Sequence, residues 1–529
     1  MKDPKVKENA EKSESKEGFY VPKRYIMTLL SFLGMFNIYA LRVNLSVAMV
    51  AMVNNTKSSD AWDNYSYFME CPELISGMDE SETESFKGEQ YNWDAQAQGI
   101  ILGSFFYGYI ITQLPGGFLS EKYSAKWLFG CGTLVTAIFS LLTPAAAHWG
   151  TAPFIAVRVL EGLGEGVTFP AINVLISHWS PKLERSRVST IIFTGSQIGN
   201  VIAMPISGWL SSSDVLGGWP SVFYVFGTIG CIWFVFWAFL IHETPFRHPK
   251  ISKSELKYFE ESKGNNQNKK PKTPWRSIFT SLPMWAVVVA HFGHNFGFLI
   301  LLTELPSYLS SILHFDIKSD GTLSALPYIV QALSAWLASY IADKLRTSGR
   351  LSITTIRKLS NSVGLFGPAA CLLGVTVIGC RPNVTITLFS VALALNGFIY
   401  SGFNITHVDM SPVFAGTLFG ITNAISNLCG IIGPAIVGAF TKSGATITNW
   451  NSVFYITAGV YVVTATFYAA FASAELQSWA FGSEGSETKD AKLKDIIIQP
   501  QYGEYKAPNS TEEFSPVRKK SLPPVKVAG

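Results

Sequence analysis

Trp219-Pro220-Ser221-Val222-Phe223-Tyr224-Val225-Phe226-Gly227-Thr228-Ile229-Gly230-Cys231-Ile232-Trp233-Phe234-Val235-Phe236-Trp237-Ala238-Phe239-Leu240-Ile241-His242 runs without one Asp, Glu, Lys or Arg. As a helix it covers roughly 30 Å, the thickness of a bilayer's hydrocarbon core. A helix on the surface of a soluble domain keeps a polar face, and this one has none. It reads as a membrane span, and it has company. Comparable stretches lie at 25–53, 95–119, 127–147, 150–177, 188–211, 280–305, 321–342, 355–379, 384–407, 412–440 and 450–473. The expectation is an all-α membrane protein of twelve transmembrane helices.

Composition agrees. Of 529 residues, 48% are hydrophobic and 15% charged, against about 25% charged in a soluble domain. The net charge of +4 is small, and what informs is where the charges fall. Lys and Arg concentrate at 1–24, 120–126, 178–187, 243–279 and 343–358, whereas the alternate loops hold only Lys57, Lys87, Lys318, Arg381 and Lys442. The positive-inside rule then puts both tails in the cytoplasm.

This divides the chain into a disordered cytoplasmic tail (1–24), a six-helix bundle (25–242) with a non-cytoplasmic loop at 54–94, a basic cytoplasmic linker (243–279), a second six-helix bundle (280–473) and a disordered cytoplasmic tail (474–529). The loop at 54–94 carries the glycosylation sequons of Asn54 and Asn64. Cys71 and Cys380 fall in non-cytoplasmic loops, where disulfides persist, and are a candidate pair. The remaining four cysteines, Cys131, Cys231, Cys371 and Cys429, lie in apolar runs and read as buried thiols.

Nothing in the chain suggests an enzyme, a metal site, a cofactor or a nucleic-acid partner. It has no CxxC, HExxH or phosphate-loop motif. The expected partners are a small anionic substrate and the lipid bilayer, with the chain acting as a monomer.

An ionisable residue inside a span costs several kcal/mol unless paired or hydrated, roughly 2.5–3.5 at the centre, and is a functional candidate by default. The densest set is Arg158-Val159-Leu160-Glu161-Gly162-Leu163-Gly164-Glu165-Gly166 in the fourth span. At about 100° per residue, Arg158, Glu161 and Glu165 share one face. Two carboxylates beside one guanidinium leave one carboxylate short of a partner and able to exchange a proton; the alternative is an inert ion pair. Arg42 in the first span has the planar fork that suits an anion, or it bridges to Glu161 or Glu165. Both arrangements can alternate in a transport cycle. In the seventh span, His294 is a further proton-coupling candidate, beside His291, Asn295 and Glu304, the last near the outer end and read as hydrated. His407 and Asp409 in the tenth read as a structural or gating cluster.

At these residues the chain resembles the anion transporter family of the major facilitator superfamily, the group of sialin, the vesicular glutamate transporters and the sodium-phosphate cotransporters. The resemblance runs from Arg24 to Trp479. It is carried by Tyr39-Ala40-Leu41-Arg42-Val43-Asn44-Leu45-Ser46-Val47-Ala48, Gly103-Ser104-Phe105-Phe106-Tyr107-Gly108-Tyr109, Thr112-Gln113-Leu114-Pro115-Gly116-Gly117 and the Arg158–Gly166 stretch. Pro181-Lys182-Leu183-Glu184-Arg185-Ser186-Arg187, Gly402-Phe403-Asn404 and His407-Val408-Asp409 add to it.

Within the group the chain looks most like the sialin branch. Glu161 stands where glutamate-type members carry Gln. Leu102, His294 and Leu299 stand where those members carry His, Arg and Tyr. Asn173 departs from the sialin branch, which carries His there.

The resemblance implies a major facilitator fold and proton symport of sialic acid or another small carboxylate by alternating access, in a lysosomal or vesicular membrane or else the plasma membrane. It implies that Arg42 holds the substrate carboxylate, that Tyr39 and Tyr109 line the cavity, and that Arg158, Glu161 and Glu165 carry the coupling. Two other readings stand beside it: sodium-coupled phosphate or organic anion cotransport, and an anion channel or membrane sensor without coupled transport.

Overall fold

A computed structural model describes residues 20–53, 71, 89–181, 184–263, 272–315 and 317–480. Twelve long helical segments follow one another: α1 (Lys23–Met52), α2 (Ala95–Leu119), α3 (Ala125–Trp149), α4 (Thr151–Gly166, continuing as Thr168–Trp179), α5 (Arg185–Ser212), α6 (Pro220–Leu240), α7 (Leu282–Ser311), α8 (Ile317–Thr347), α9 (Ile353–Ile378), α10 (Pro382–Asn396, a tight turn, then Phe403–Met410), α11 (Ala415–Ser426, then Cys429–Thr441) and α12 (Ile447–Phe471). Among the described residues, ten stretches are long and apolar enough to cross a membrane. α5 and the first part of α2 are more polar, and both run where the two bundles meet.

Local chemistry sets the helix ends. Asp94 accepts from the Ala97 amide to cap α2, Ser352 from Thr355 to cap α9, and Thr446 from Asn449 to cap α12. The α3–α4 reversal takes a single residue, Gly150, at φ 124°, a backbone region that side chains disfavour. Between spans, Glu243 accepts from the Ala125 and Lys126 amides and from the Ser124 hydroxyl. It supplies negative charge where the helix start favours it.

The two bundles meet along α5–α8 and α2–α11. There, glycines bring backbone against backbone: Gly99 faces the Pro434 carbonyl, Gly438 faces Ala95, and Gly321 faces Met204 and Gly208. All of these contacts lie at one end of the molecule. At that end a disulfide joins Cys71, from the α1–α2 connection, to Cys380, at the start of α10, with Cα atoms 5.3 Å apart. One apolar core runs through both bundles at this disulfide end. At the opposite end the first bundle has a core of its own, built from residues such as Met27, Phe129, Trp179 and Trp237. Among the described residues the contacts between the bundles thus gather at the disulfide end and reach inward to Gln197 of α5, whose amide donates to the Tyr400 hydroxyl (3.1 Å).

Several readings are revised. Within the linker Lys253–Lys263 is helical, and Glu255 accepts from the Tyr20 hydroxyl (2.6 Å) and the Lys23 and Arg24 amides (2.9 and 3.1 Å). A carboxylate aimed at the start of α1 satisfies amides the helix leaves open. Tyr20, Lys23 and Arg24, inside the expected tail, are accordingly held against the linker. Residues 474–480 are packed, not disordered, with the Gln477 amide on the Met410 carbonyl and Ser411 on the Ala480 carbonyl. Of the four other cysteines only Cys429 is buried; Cys131 is exposed on the apolar outer surface. The rest of both tails, most of the 54–94 loop, and Asn54 and Asn64 with it, lie outside the described residues.

Candidate functional site

Six of the charged and aromatic residues singled out in the sequence, Tyr39, Arg42, Tyr109, Arg158, Glu161 and Glu165, converge between α1, α2 and α4. α2 and α4 can approach because each presents a glycine to the other: a Cβ on Gly162 would meet the Phe105 carbonyl at 1.9 Å, and one on Gly108 the Val159 carbonyl at 2.0 Å. That approach lays Phe105 and Tyr109 against the charged face of α4.

Arg42 reaches from α1 to Glu165 on α4. Its Nε donates to Glu165 Oε1 (2.8 Å), and a terminal nitrogen donates to the same oxygen. Glu165 Oε2 has no hydrogen-bond partner. The guanidinium lies 4.7 Å from the Tyr39 ring, 4.9 Å from Tyr109 and 5.3 Å from Phe105, a cage that favours a cation. The structure therefore brings Arg42, Tyr39, Tyr109 and Glu165 together.

Arg158 takes the other carboxylate. It is ion-paired with Glu161 one turn along α4, and Thr143 on α3 donates to Glu161 Oε1 (2.9 Å). Arg158 Nε has no partner. Phe105 lies 5.5 Å from the Arg158 guanidinium as well, so one ring faces both cations.

This corrects the count made along α4 alone. The cluster holds two arginines and two glutamates, net zero, because Arg42 arrives from a helix more than a hundred residues away. All four are buried: side-chain exposure is 7% for Arg42, 2% for Arg158 and 0% for both glutamates. Breaking one buried pair leaves a lone charge, which costs several kcal/mol, about 3–5. The two pairs differ in kind. Glu161 is held by Arg158 and Thr143 within its own bundle face, whereas Glu165 is held by Arg42 through one oxygen only.

Arg42 and Arg158 both line a small pocket with Ser46, Leu102 and Phe106 on one side and Leu302 and Thr303 of α7 on the other. The pocket thus lies between the bundles, where a bound molecule touches both.

His294 stands apart from this group. Its ring packs on Phe298 (5.4 Å) and Phe403 (5.8 Å), and it is not on the walls of the Arg42–Arg158 pocket. His407 and Asp409 do not form one cluster. Asp409 pairs with Arg357 of α9 (2.7 Å), while His407 shares the Thr422 hydroxyl with His291 (2.9 and 3.0 Å). Asn295 donates to Ser426. Glu304, read as hydrated, is 4% exposed and buried with Oε1 unpartnered.

Sequence reading missed Phe105 as a shared face for both arginines, Thr143 as the second holder of Glu161, and Thr422 as the bridge between two histidines. Each is an ordinary residue type whose meaning lies in its partner on another helix.

Residues 27–434 match the family described as Major Facilitator Superfamily. The chain is 43% identical to human sialin over 457 residues, covering 86% of this chain and 90% of that protein. It is 41% identical to a putative inorganic phosphate cotransporter of Drosophila melanogaster over 486 residues, 90% of each. It is also 41% identical to human vesicular glutamate transporter 2 over 493 residues, 92% and 80%. Among solved structures, a bacterial homologue of the human lysosomal transporter Spinster, inward-facing and occupied, superposes with a TM-score of 0.63 at 14% identity, covering 85% of this chain and 98% of that one. The inward-open xylose transporter XylE of E. coli gives 0.60 at 12%, covering 85% and 96%. At such identities the structural likeness speaks for the fold.

Proposed function

We propose, for a chain that belongs to the Major Facilitator Superfamily and to its group of anion transporters, that it moves small organic carboxylates together with protons by alternating access. That it is a membrane-embedded secondary transporter and not an enzyme follows from the family. The substrate, the coupling ion and the orientation are this proposal.

One observation carries it: Arg42, bound to a single oxygen of Glu165, lines a pocket shared by both bundles. A substrate carboxylate presents two oxygens, the partner a guanidinium fork prefers. Arg42 exchanges Glu165 for the substrate. Glu165, left buried without its cation, then takes a proton, because an unpaired carboxylate in a dry site favours its neutral form. Substrate and proton arrive together, and the site stays neutral in both states. Arg158 and Glu161 keep their pair throughout and hold α4 in register. Tyr39 and Tyr109 are not on the walls of that pocket; their rings lie against the Arg42 guanidinium and position it for the carboxylate.

Both tails are placed in the cytoplasm by the loop charges, so the disulfide end faces the lumen or exterior and the substrate leaves toward the cytoplasm in this state. Sialic acid or another acidic sugar is the favoured cargo and a lysosomal or vesicular membrane the favoured site, on the 43% identity to sialin. Sodium-coupled anion transport is the second reading, favoured by the 41% identity to a putative inorganic phosphate cotransporter.

The test is purified protein in proteoliposomes, given a panel of carboxylates and phosphate at two pH values, with proton and sodium gradients imposed separately. Saturable counterflow and accumulation driven by the proton gradient support the proposal. A linear, non-saturable flux would make the protein a pore.

A further inference from the structure

A second pocket lies at the disulfide end, and the proposed function does not use it. Its walls come from both bundles: Gln98 from α2 on one side, and Glu304, Ser307, Ser311, Thr441 and Trp450 from α7, α11 and α12 on the other. Glu304, Ser307 and Ser311 recur at helical spacing on one face of α7. Glu304 is 4% exposed and its Oε1 has no hydrogen-bond partner. Among the described wall residues there is no Lys, Arg or His and no second carboxylate. A buried carboxylate is normally paired or fully hydrogen-bonded, and nothing on these walls neutralises this one.

We infer that Glu304, with the hydroxyls of Ser307, Ser311 and Thr441 and the amide oxygen of Gln98, forms a binding site for a small monovalent cation, Na⁺ in the first instance. The donor set is oxygen throughout, which suits hard cations and not transition metals. A single carboxylate balances a single positive charge, which favours a monovalent ion over a divalent one.

The position gives the site a consequence. Gln98 belongs to the first bundle and the other donors to the second. Next to Gln98, Gly99 seats against Pro434, and Gly438 against Ala95. Opening the disulfide end parts α2 from α11 and takes the site apart. A bound cation therefore favours the state closed at this end, as any ligand favours the conformation that holds its whole site. The inference rests on the transport reading only for this last step; binding itself is independent of it.

The test uses the purified full-length protein in detergent. Thermal unfolding is followed by tryptophan emission while NaCl replaces choline chloride at constant ionic strength, at two pH values. Wild type should gain Tm saturably with Na⁺, as expected for a ligand that binds the folded state. Glu304→Gln should lose the response. Ser307→Ala, which keeps the charge, should raise the half-saturating Na⁺ concentration several-fold. Equal Tm in Na⁺ and choline overturns the site. So does a Tm that follows pH alone, which would make Glu304 a protonated acid, and so does an Na⁺ response that survives in Glu304→Gln. If Glu304→Gln does not fold, Ser307→Ala decides: an unchanged half-saturation overturns the site. Failure of the transport reading shows elsewhere, as absent counterflow in liposomes, and leaves this result standing.

Discussion

Arg42 on α1 and Glu165 on α4 are joined through one carboxylate oxygen, which receives two of the guanidinium's N–H groups while the other oxygen receives none. The pair is buried and neutral, but its fork is only half used. That asymmetry makes the arginine the exchangeable partner in the cluster and leads to the first prediction. Arg42→Lys keeps the charge and loses the planar two-point contact. A charged hydrogen bond contributes about 1.5–3 kcal/mol, so carboxylate uptake should fall roughly ten- to a hundredfold. Uptake normalised to protein in the membrane measures this, and near-normal activity would mean that Arg42 is no anion clamp.

How much of this was legible beforehand depended on whether a signal ran along the chain or across it. The 219–242 stretch announced a span by its length and lack of charge, and the observed helix ends at 220 and 240. Arg158, Glu161 and Glu165 announced a shared face because α-helical spacing is read from one segment. Their charge balance did not follow, since the second arginine comes from α1. Glu304 looked hydrated because only its distance from a span end could be counted; the covering residues Gln98 and Thr441 belong to other helices. Residues 474–480 looked like tail because polar composition says nothing of a carbonyl waiting at Met410.

The contact between α2 and α4 gives a packing prediction. Gly162→Ala adds a Cβ where the Phe105 carbonyl stands 1.9 Å away, and backbone cannot yield as a flexible side chain can. The cost of such overpacking is about 1–3 kcal/mol. Thermal unfolding in detergent should show a Tm several degrees lower. Because the same contact positions Phe105 and Tyr109 beside Arg42, uptake per folded molecule should fall as well. An unchanged Tm would show that α2 and α4 sit farther apart than described.

Cys71 and Cys380 lie 309 residues apart, and a crosslink over so long a loop constrains the unfolded chain strongly, by ~6 kcal/mol on loop entropy alone. Cys71→Ser with Cys380→Ser should lower Tm and protein yield, while counterflow per folded molecule stays within about twofold, since neither residue lines the Arg42–Arg158 pocket. Non-reducing peptide mapping of the wild type should recover the two peptides joined, and free thiols at both positions would remove the bond.

The two glutamates of α4 should respond differently to the same change. Glu161 is held by Arg158 and by the Thr143 hydroxyl. Glu161→Gln removes the carboxylate paired with Arg158 and strands that cation in a site where its side chain is 2% exposed, a loss of about 3–5 kcal/mol. It should reduce abundance and Tm, and both driven uptake and counterflow should decline with them. Glu165→Gln imitates the protonated carboxyl; it costs the empty protein the Arg42 pair, and bound substrate restores a carboxylate to Arg42. This variant should keep counterflow, which needs no net proton movement, and lose accumulation driven by a proton gradient. Both variants are measured side by side in proteoliposomes, with uptake and counterflow normalised to folded protein. If Glu165→Gln still accumulates substrate at the wild-type level against its gradient, the coupling proton binds elsewhere, and His294, buried against Phe298 and Phe403 in the second bundle, is the next residue to replace.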